Sequence, residues 1–235
     1  MWKNRYKKAV TFSYDDGIEQ DKRLVELLNQ YHLKATFNIN TGLEHHDHDF
    51  FIEGHHMSHI PLEAMVALYQ GHEIAVHTFS HPHLTQLKDE EVLDEMTQDM
   101  TLISQVFHQQ PMGMAYPYGS YDDRVVALVK SLGLRYARTV ESNHQTSLQQ
   151  DLLRFQPTCH HNDPKIFELI DQFLTYKGEE PQLFYIWGHS YEADVDQNWD
   201  HIESIFKKIA FHKDIYYGTN REVLIDNNQS FVDNK

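Results

Sequence analysis

The chain has 235 residues and a formal net charge of −15 at pH 7, from 20 Lys and Arg against 35 Asp and Glu. This acidic balance argues against a nucleic acid or an anionic membrane as partner, because both are bound through basic surfaces. The single cysteine, Cys159, excludes an internal disulfide and a cysteine-based zinc cluster, so a metal site here would use histidine and carboxylate ligands.

The amino-terminal stretch MWKNRYKKAVTFSYDDG is basic but has no apolar segment of the kind found in signal peptides. The sequence also has no run of about eighteen apolar residues, the length that spans a membrane. We therefore expect a cytoplasmic protein.

Short apolar and β-branched runs alternate along the chain with segments that carry apolar residues at i, i+3 and i+4. The runs predict strands at residues 9–14, 36–39, 73–77, 113–116, 136–140, 152–156, 183–187 and 215–217. The segments predict helices at residues 22–31, 62–70, 89–107, 122–132, 164–176 and 198–211. This alternation is typical of βα units around a parallel sheet. We expect a single α/β domain over residues 1–235, with seven or eight parallel strands in a distorted (β/α) barrel.

Residues 42–61, GLEHHDHDFFIEGHHMSHIP, follow the second predicted strand and are the least regular part of the chain. Their histidines are His45, His46, His48, His55, His56 and His59. These have no fixed ligand spacing, which favours a polar loop. Two other interpretations stay open, a lid that faces a substrate and an accessory metal site.

Polar side chains follow several of the predicted strands. They are Asp15 and Asp16 after the first strand, His77 and His81 after the third, Pro117 and Tyr118 after the fourth, and His189 after the seventh. Because the loops at the carboxyl ends of parallel strands form the active-site face of such folds, we expect these side chains to meet.

His77 and His81 are separated by four positions, which on a continuous strand is roughly 13 Å, too far to share one metal ion. The chain must therefore turn between them, and Pro82 disfavours a helical conformation at His81. Two imidazoles and one carboxylate from a neighbouring strand end make a three-ligand site with a position open for water. Asp15 and Asp16 at the end of a buried strand need a metal or hydrogen-bond donors to offset their desolvation. Ordinary turn residues remain the alternative for both pairs.

The other histidines that follow strands give weaker signals. His189 is interpreted either as closing a strand end through backbone hydrogen bonds or as a general acid. His83 is expected at the rim of the site, and His160 and His161 behind it. Aromatic residues near these strand ends are candidates for apolar walls around a substrate, or alternatively core: Phe79, Tyr116, Tyr118, Trp187 and Tyr191.

Taken together, these motifs resemble those of the polysaccharide deacetylases, the NodB homology domain of carbohydrate esterase family 4. The stretch TFSYDDG resembles the first family motif, and HTFSH matches the second in full. AYPYG matches the third motif in part, and WGH matches the last. The resemblance extends from Thr11 to about Glu222.

The resemblance implies a role for each matched residue. Asp15 would be the general base and His189 the general acid. Asp16, His77 and His81 would bind one divalent ion, Zn²⁺ or in its place Co²⁺ or Ni²⁺. The oxyanion and substrate contacts would come from the backbone N–H of Tyr118 and from its neighbours Pro117, Tyr116 and Trp187.

Two features depart from the family pattern. Ala115 stands where the family has an arginine that orients the base, and Arg154 is a candidate for that task. The fourth motif, whose aspartate tunes the acid, has no clear match around RFQPTCHHND.

The resemblance implies a metal-dependent deacetylase that hydrolyses N-acetyl or O-acetyl groups on a carbohydrate. One alternative keeps the metal but acts on small non-sugar amides, such as cyclic amides. The other alternative is a non-catalytic relative that binds carbohydrate.

Overall fold

The computed structural model describes residues 1–3, 6–43 and 48–227. The strands are β1 (Lys8–Asp16), β2 (Ala35–Ile39), β3 (Phe50–Ile52), β4 (His55–Met57), β5 (Glu73–Val76), β6 (Gly113–Ala115), β7 (Tyr136–Arg138), β8 (Cys159–His160), β9 (Gln182–Gly188) and β10 (Ile215–Tyr217). The α-helices are α1 (Asp21–Gln30), α2 (Leu62–Leu68), α3 (Asp89–Phe107), α4 (Asp123–Ser131), α5 (Ile166–Thr175), α6 (Glu192–Val195) and α7 (Trp199–Ile209). Short 3₁₀ turns lie at Leu84–Gln86, Pro117–Gly119 and Leu152–Arg154, and a π-helical turn lies at Glu222–Asp226.

Eight of these strands form one parallel sheet in the order β7-β6-β5-β2-β1-β9-β8, with β10 paired to the start of β1. The sheet curls, and β7 and β8 are its two ends. Among the described residues, one isolated parallel bridge joins Arg138 at the end of β7 to Phe155, in the segment that precedes β8. The predicted distorted (β/α) barrel of seven or eight parallel strands is confirmed.

The central strand β1 is buried along its whole length. Its side chains point alternately to the apolar core under the helices and to the inside of the curled sheet. Val10, Phe12 and Tyr14 pack in the main apolar core with the helices. The intervening positions, among them Ser13 and Asp15, point to the inside of the curled sheet. Polar groups therefore accumulate in the barrel interior, where they need partners from other strands.

Small residues on β6 leave room in this interior for large ones on β7. Gly113 pairs in register with Tyr136, and Ala115 pairs with Arg138. A Cβ atom on Gly113 would lie 1.9 Å from the Tyr136 ring, whose hydroxyl donates to Glu73 Oε1 at 2.7 Å. The absence of a side chain at Gly113 thus gives the Tyr136 ring its place.

One predicted strand is wrong. Residues 152–156 contain the 3₁₀ turn Leu152–Arg154, and the strand that precedes β9 is Cys159–His160 instead. The turn forms because the Asp151 carboxylate accepts the backbone N–H of Leu153 at 3.1 Å, a local bond that competes with strand pairing. The predicted helices agree with the observed ones to within two residues at each end, and the short helix α6 was not predicted.

The described part of the histidine-rich segment contains two short strands where a polar loop was favoured. Strands β3 and β4 pair antiparallel within it, and we call residues Phe50–Met57 the hairpin. His45 and His46 lie outside the described residues.

Among the helices of the described residues, none combines the length and the apolar character that a membrane span requires.

Gly113→Ala is expected to lower the free energy of unfolding by about 1–3 kcal/mol, because its methyl group would displace the Tyr136 ring. Urea unfolding followed by circular dichroism measures the change. Lys130→Ala on the exposed side of α4 is the control and should stay within about 0.5 kcal/mol of the parent. An unchanged midpoint for Gly113→Ala would contradict this account of the β6–β7 packing.

Candidate active site

Asp15 lies at the carboxyl end of β1 with its carboxylate on the inside of the barrel, where it is 2% exposed. Asn38 Nδ2 donates to Oδ1 at 2.8 Å, and the Arg138 guanidinium donates to Oδ2. Burial alone would raise the pKa of Asp15. The positive charge of Arg138, with smaller contributions from His77 and His189, outweighs burial and holds this pKa below its ordinary value.

Arg138 is the residue that orients Asp15, and the sequence-based candidate Arg154 is not. Arg138 is fully buried, its guanidinium lies 4.4 Å from the Trp187 ring centroid, and its Nη1 donates to Thr139 O at 3.0 Å. Arg154 pairs at the surface with two carboxylates, Asp151 at 2.7 Å and Asp123 at 2.6 Å. The signal in the sequence was an arginine inside a predicted apolar strand, beside the strand that lacks the family arginine.

The chain turns between His77 and His81, as the spacing predicted. Thr78 and His81 both have positive φ, 70° and 59°. Asn40 Nδ2 donates to the carbonyls of His77 at 2.5 Å and Thr78 at 3.0 Å. The buried Asp99 accepts the backbone N–H of His77 at 3.0 Å. A neighbouring strand end and helix α3 therefore hold the turn in place.

This turn brings three donor atoms together. The Nε2 atoms of His77 and His81 are 3.1 Å apart, and each lies 3.6 Å from Asp16 Oδ1. Asp16 reaches them because its backbone φ of 80° turns its carboxylate away from that of Asp15. These are the three side chains that the family resemblance implied as ligands of one ion, and their donor atoms lie close together.

The donor set fits a divalent metal ion of the zinc type. His77 Nδ1 lies 2.8 Å from the carbonyl oxygen of Ala115, which only accepts, so Nδ1 carries the proton and Nε2 offers its lone pair. Burial, with the nearby His77, lowers the pKa of His81 to about 4, so the imidazole of His81 is neutral at pH 7. Two imidazoles and one carboxylate are a common ligand set for zinc that leaves further positions open.

His189 lies at the end of β9 and faces Asp15. Its Nε2 is 3.8 Å from Asp15 Oδ2, and its Nδ1 is 3.2 Å from Glu192 Oε1. Burial would lower the pKa of His189. The hydrogen bond to Glu192 and the negative charges of Asp16, Glu192 and Asp15 outweigh burial and raise the pKa to about 9.

Glu192 is a site residue that the sequence reasoning missed. Its Oε2 accepts the backbone N–H of His189 at 3.0 Å and lies 3.1 Å from His160 Nε2 and 2.9 Å from His161 Nε2. Burial would raise the pKa of Glu192, but the imidazoles of His160, His161 and His189 together lower it well below its ordinary value. The signal was a glutamate three residues after a candidate acid histidine.

His160, His161 and Glu192 also have the composition of a metal site, with ligand atoms within 4.8 Å of one another. The hydrogen bonds favour another interpretation. The backbone N–H of Asn162 donates to His160 Nδ1 at 3.1 Å, so His160 carries its proton on Nε2, where it points at Glu192. This cluster therefore anchors an anion.

The predicted oxyanion and substrate residues divide into two groups. Tyr118 lies in the turn Pro117–Gly119 with φ 55°, and its side chain is 59% exposed and stacks on the His83 ring at 4.0 Å. Tyr116 and Trp187 are not available as walls of an open groove. Tyr116 is fully buried and donates to Leu153 O at 2.9 Å, and Trp187 packs under Arg138.

A groove of about 460 Å³ lies beside the three converging donors. It is lined by Asp16, Asn40, Leu43, His48, Phe50, Ile52, His59, Ser80, His81, Tyr118 and Tyr191. Its volume is in the range of small-ligand sites.

Sequence comparison places the chain among known proteins. A family model described as "Polysaccharide deacetylase" matches residues 3–137, more than half of the chain. The chain belongs to this family. It is 32% identical over 129 residues to chitin deacetylase 1 of Cryptococcus neoformans var. grubii, covering 54% of this chain and 25% of that protein. The match thus spans about a quarter of that relative.

Solved structures share the fold at low sequence identity. The chitin deacetylase from the fungal pathogen Colletotrichum lindemuthianum has a TM-score of 0.61 and 18% identity, over 96% of this chain and 91% of that one. A CE4 family pseudoenzyme from Bacillus anthracis has a TM-score of 0.56 and 17% identity, over 92% of this chain and 64% of that one. Membership of this fold therefore does not by itself decide whether a protein is active.

Arg138→Met is expected to lower the free energy of unfolding at pH 7 by about 3–5 kcal/mol, because it leaves the Asp15 charge buried without its partner. The folded-state pKa of Asp15 is depressed, so the pair stabilises the fold above the ordinary carboxyl pKa. The difference between variant and parent should shrink as the pH falls below about 4.

Arg154→Met is the matched control, since it removes an arginine from an exposed ion pair, and its effect should stay below about 1 kcal/mol. Urea unfolding at several pH values measures both variants. Equal losses for the two would show that Arg138 has no special relation to Asp15.

Proposed function

We propose that the chain is a metal-dependent deacetylase that hydrolyses acetyl groups, above all N-acetyl groups, on a carbohydrate. The observation that carries this proposal is the opposition of Asp15 and His189, whose Oδ2 and Nε2 atoms are 3.8 Å apart. Arg138 favours the anionic form of Asp15, and Glu192 favours the cationic form of His189. A base and an acid thus face each other beside three converging metal-type donors. The family and the names of its members support the reaction class.

Asp16, His77 and His81 would hold the divalent ion, which as a Lewis acid supplies polarisation of the acetyl carbonyl and a lowered pKa for water. We propose zinc as the ion, from the two imidazoles and one carboxylate, with cobalt or nickel as alternatives.

Asp15 accepts a proton from the attacking water, because its carboxylate is anionic at neutral pH and is held in place by hydrogen bonds from Asn38 to Oδ1 and from Arg138 to Oδ2. The lone pairs not used by Asn38 and Arg138 remain for this transfer. The backbone N–H of Tyr118 is the proposed donor to the oxyanion.

His189 donates a proton from Nε2 to the departing amine. Its pKa of about 9 keeps the imidazolium populated at neutral pH, and the bond from Nδ1 to Glu192 fixes which nitrogen faces the reaction. The proton that Asp15 took from water then passes to His189, whose Nε2 lies 3.8 Å from Asp15 Oδ2, and this transfer restores both groups for the next turnover.

Small cyclic amides, ester-linked acetyl groups and a purely binding role remain the competing hypotheses. The groove lining, which is apolar and polar residues beside the single carboxylate of Asp16, is compatible with each of the first two. Asp15 and His189 face each other, and each is paired with a residue of opposite charge, Arg138 and Glu192 respectively. Burying these charged pairs costs desolvation energy, which a purely binding protein has no need to spend.

Asp15→Asn is expected to reduce acetate release from N-acetylated chito-oligosaccharides by about 10²–10⁴-fold, because the base is lost, while the bound metal is retained. His77→Ala/His81→Ala should lose the metal as well, which elemental analysis of the purified proteins measures. Cyclic amides and acetylated xylan are the comparison substrates. Unchanged turnover and ligand binding in Asp15→Asn would support the non-catalytic alternative, and equal metal content in both variants would refute the metal site.

Glu192→Gln is expected to shift the alkaline limb of the kcat profile to lower pH. The acid must be protonated, so the rate falls above its pKa, and removing the Glu192 charge lowers that pKa from about 9. Glu168→Gln on the exposed side of α5 is the control and should leave the profile unchanged. A Glu192→Gln enzyme with lower kcat but an unmoved alkaline limb would exclude this role.

A further inference from the structure

The pairing of β1 with β9 stops one position before the candidate base and acid. The last residues paired in register are Tyr14 and Gly188. Asp15 and His189 come directly after these two, and their Oδ2 and Nε2 atoms are 3.8 Å apart. The separation of the base from the acid therefore depends on contacts outside the β1–β9 ladder.

The turn after β9 is attached to its surroundings on the side away from β1. The backbone N–H of Glu192 donates to His189 O and that of Ala193 to Ser190 O, both at 3.2 Å, so these bonds stay inside the turn. The Glu192 side chain reaches His160 on β8, which is the neighbour of β9 opposite to β1. Fixing the turn against β1 requires a further contact.

Ser190 supplies this contact. Its hydroxyl donates to Asp21 Oδ1 at 2.6 Å, and the two residues are 1% and 0% exposed. Asp21 is the first residue of α1, and its backbone N–H donates to Ile18 O at 2.9 Å in the loop that leaves β1. One buried hydrogen bond thus joins the residue after His189 to the segment that follows β1.

The other oxygen of Asp21 has a similar bond that leads away from the site. Asp21 Oδ2 accepts the Tyr69 hydroxyl, also at 2.6 Å. Tyr69 directly follows helix α2, is 3% exposed, and stacks on the Phe37 ring with centroids 4.2 Å apart. The two hydroxyls are therefore equally close to Asp21 and similarly buried, but Ser190 alone of the two is adjacent to a candidate catalytic group.

A carboxyl group at this place destabilises the fold. Burial raises the pKa of Asp21 to about 7, because the hydrogen bonds from Ser190, Tyr69 and the backbone of Ile18 only partly offset it. A carboxyl oxygen accepts a hydroxyl in either protonation state, so the Ser190 bond does not depend on the charge of Asp21. A destabilising group that bridges two strand exits argues for a role in positioning.

We propose that Asp21 is a positioning residue, which through the Ser190 hydroxyl fixes His189 opposite Asp15 where the sheet no longer pairs their strands. This inference rests on the proposed deacetylase function, for which His189 is the acid. Without the bond, the turn after β9 loses its hydrogen bond to the β1 side, and His189 Nε2 is free to move from its place beside Asp15. Displacement of a reacting group by about 1 Å can lower a rate about 10²-fold.

The test compares Ser190→Ala with Tyr69→Phe, because each removes one hydroxyl from Asp21. Ser190→Ala should lower kcat for acetate release from N-acetylated chito-oligosaccharides by about ten- to a hundredfold, with KM and metal content unchanged. Tyr69→Phe should leave kcat unchanged, while both variants shift the urea midpoint by similar amounts. In an Asp21→Ala protein, adding Ser190→Ala should cause no further loss of kcat, since both changes remove the same link.

A second measurement needs no turnover. The carboxylates around His189 outweigh burial and raise its pKa, and two of them belong to β1. The titration of the His189 imidazole, followed by NMR of histidine-labelled protein, should therefore move to lower pH in Ser190→Ala and stay unchanged in Tyr69→Phe. Ser190→Cys keeps the volume with a weaker donor, and it repeats both measurements should Ser190→Ala fail to fold.

An unchanged kcat together with an unmoved His189 titration in Ser190→Ala would overturn the inference. Equal losses of kcat in Ser190→Ala and Tyr69→Phe would also overturn it, because they indicate a purely structural role for Asp21. If the parent protein releases no acetate, the proposed function fails and the His189 titration decides alone. A shift confined to Ser190→Ala then supports the positioning by Asp21.

Discussion

The ion pair between Asp15 on β1 and Arg138 on β7 is the interaction around which the barrel interior is arranged. Two buried charges persist only where their attraction and additional hydrogen bonds offset desolvation, and Asn38 supplies one of those bonds. Small residues lie beside this pair on β6, where Ala115 pairs in register with Arg138 and Gly113 leaves room for the Tyr136 ring. Packing and electrostatics are linked here, because Tyr136 and Arg138 are two positions apart on one face of β7.

A neighbouring group of opposite charge also shifts the pKa of His189, on the other side of the site. A carboxylate beside His189 raises its pKa to about 9, just as a guanidinium beside Asp15 lowers the pKa of that carboxyl. Each group also favours the charged form of the other, since their nearest atoms are 3.8 Å apart. The proposed acid, His189, and the proposed base, Asp15, are therefore both in the protonation states that those roles require at neutral pH.

The parts of the fold and site that follow from local sequence patterns were predictable. The apolar strands, the amphipathic helices and the turn between His77 and His81 depend on neighbouring residues, and the structure contains them. The position of Arg138 inside a predicted strand was a signal, but the sequence did not identify its partner, because Asp15 is 123 positions away and the contact depends on strand order. Arg154 was chosen for its place near a predicted strand end, and that strand was wrong because Asp151 caps a turn there.

The departures from the family motifs therefore need not remove the chemistry that those motifs supply. A guanidinium from β7 replaces one that β6 lacks, and Glu192 on α6 provides a carboxylate beside His189 where no fourth motif was found. Catalysis requires charges at given positions around the reacting atoms, and the curled sheet lets different strands place them there. Since a pseudoenzyme shares this fold, these placed charges, more than the fold, argue for activity in this chain.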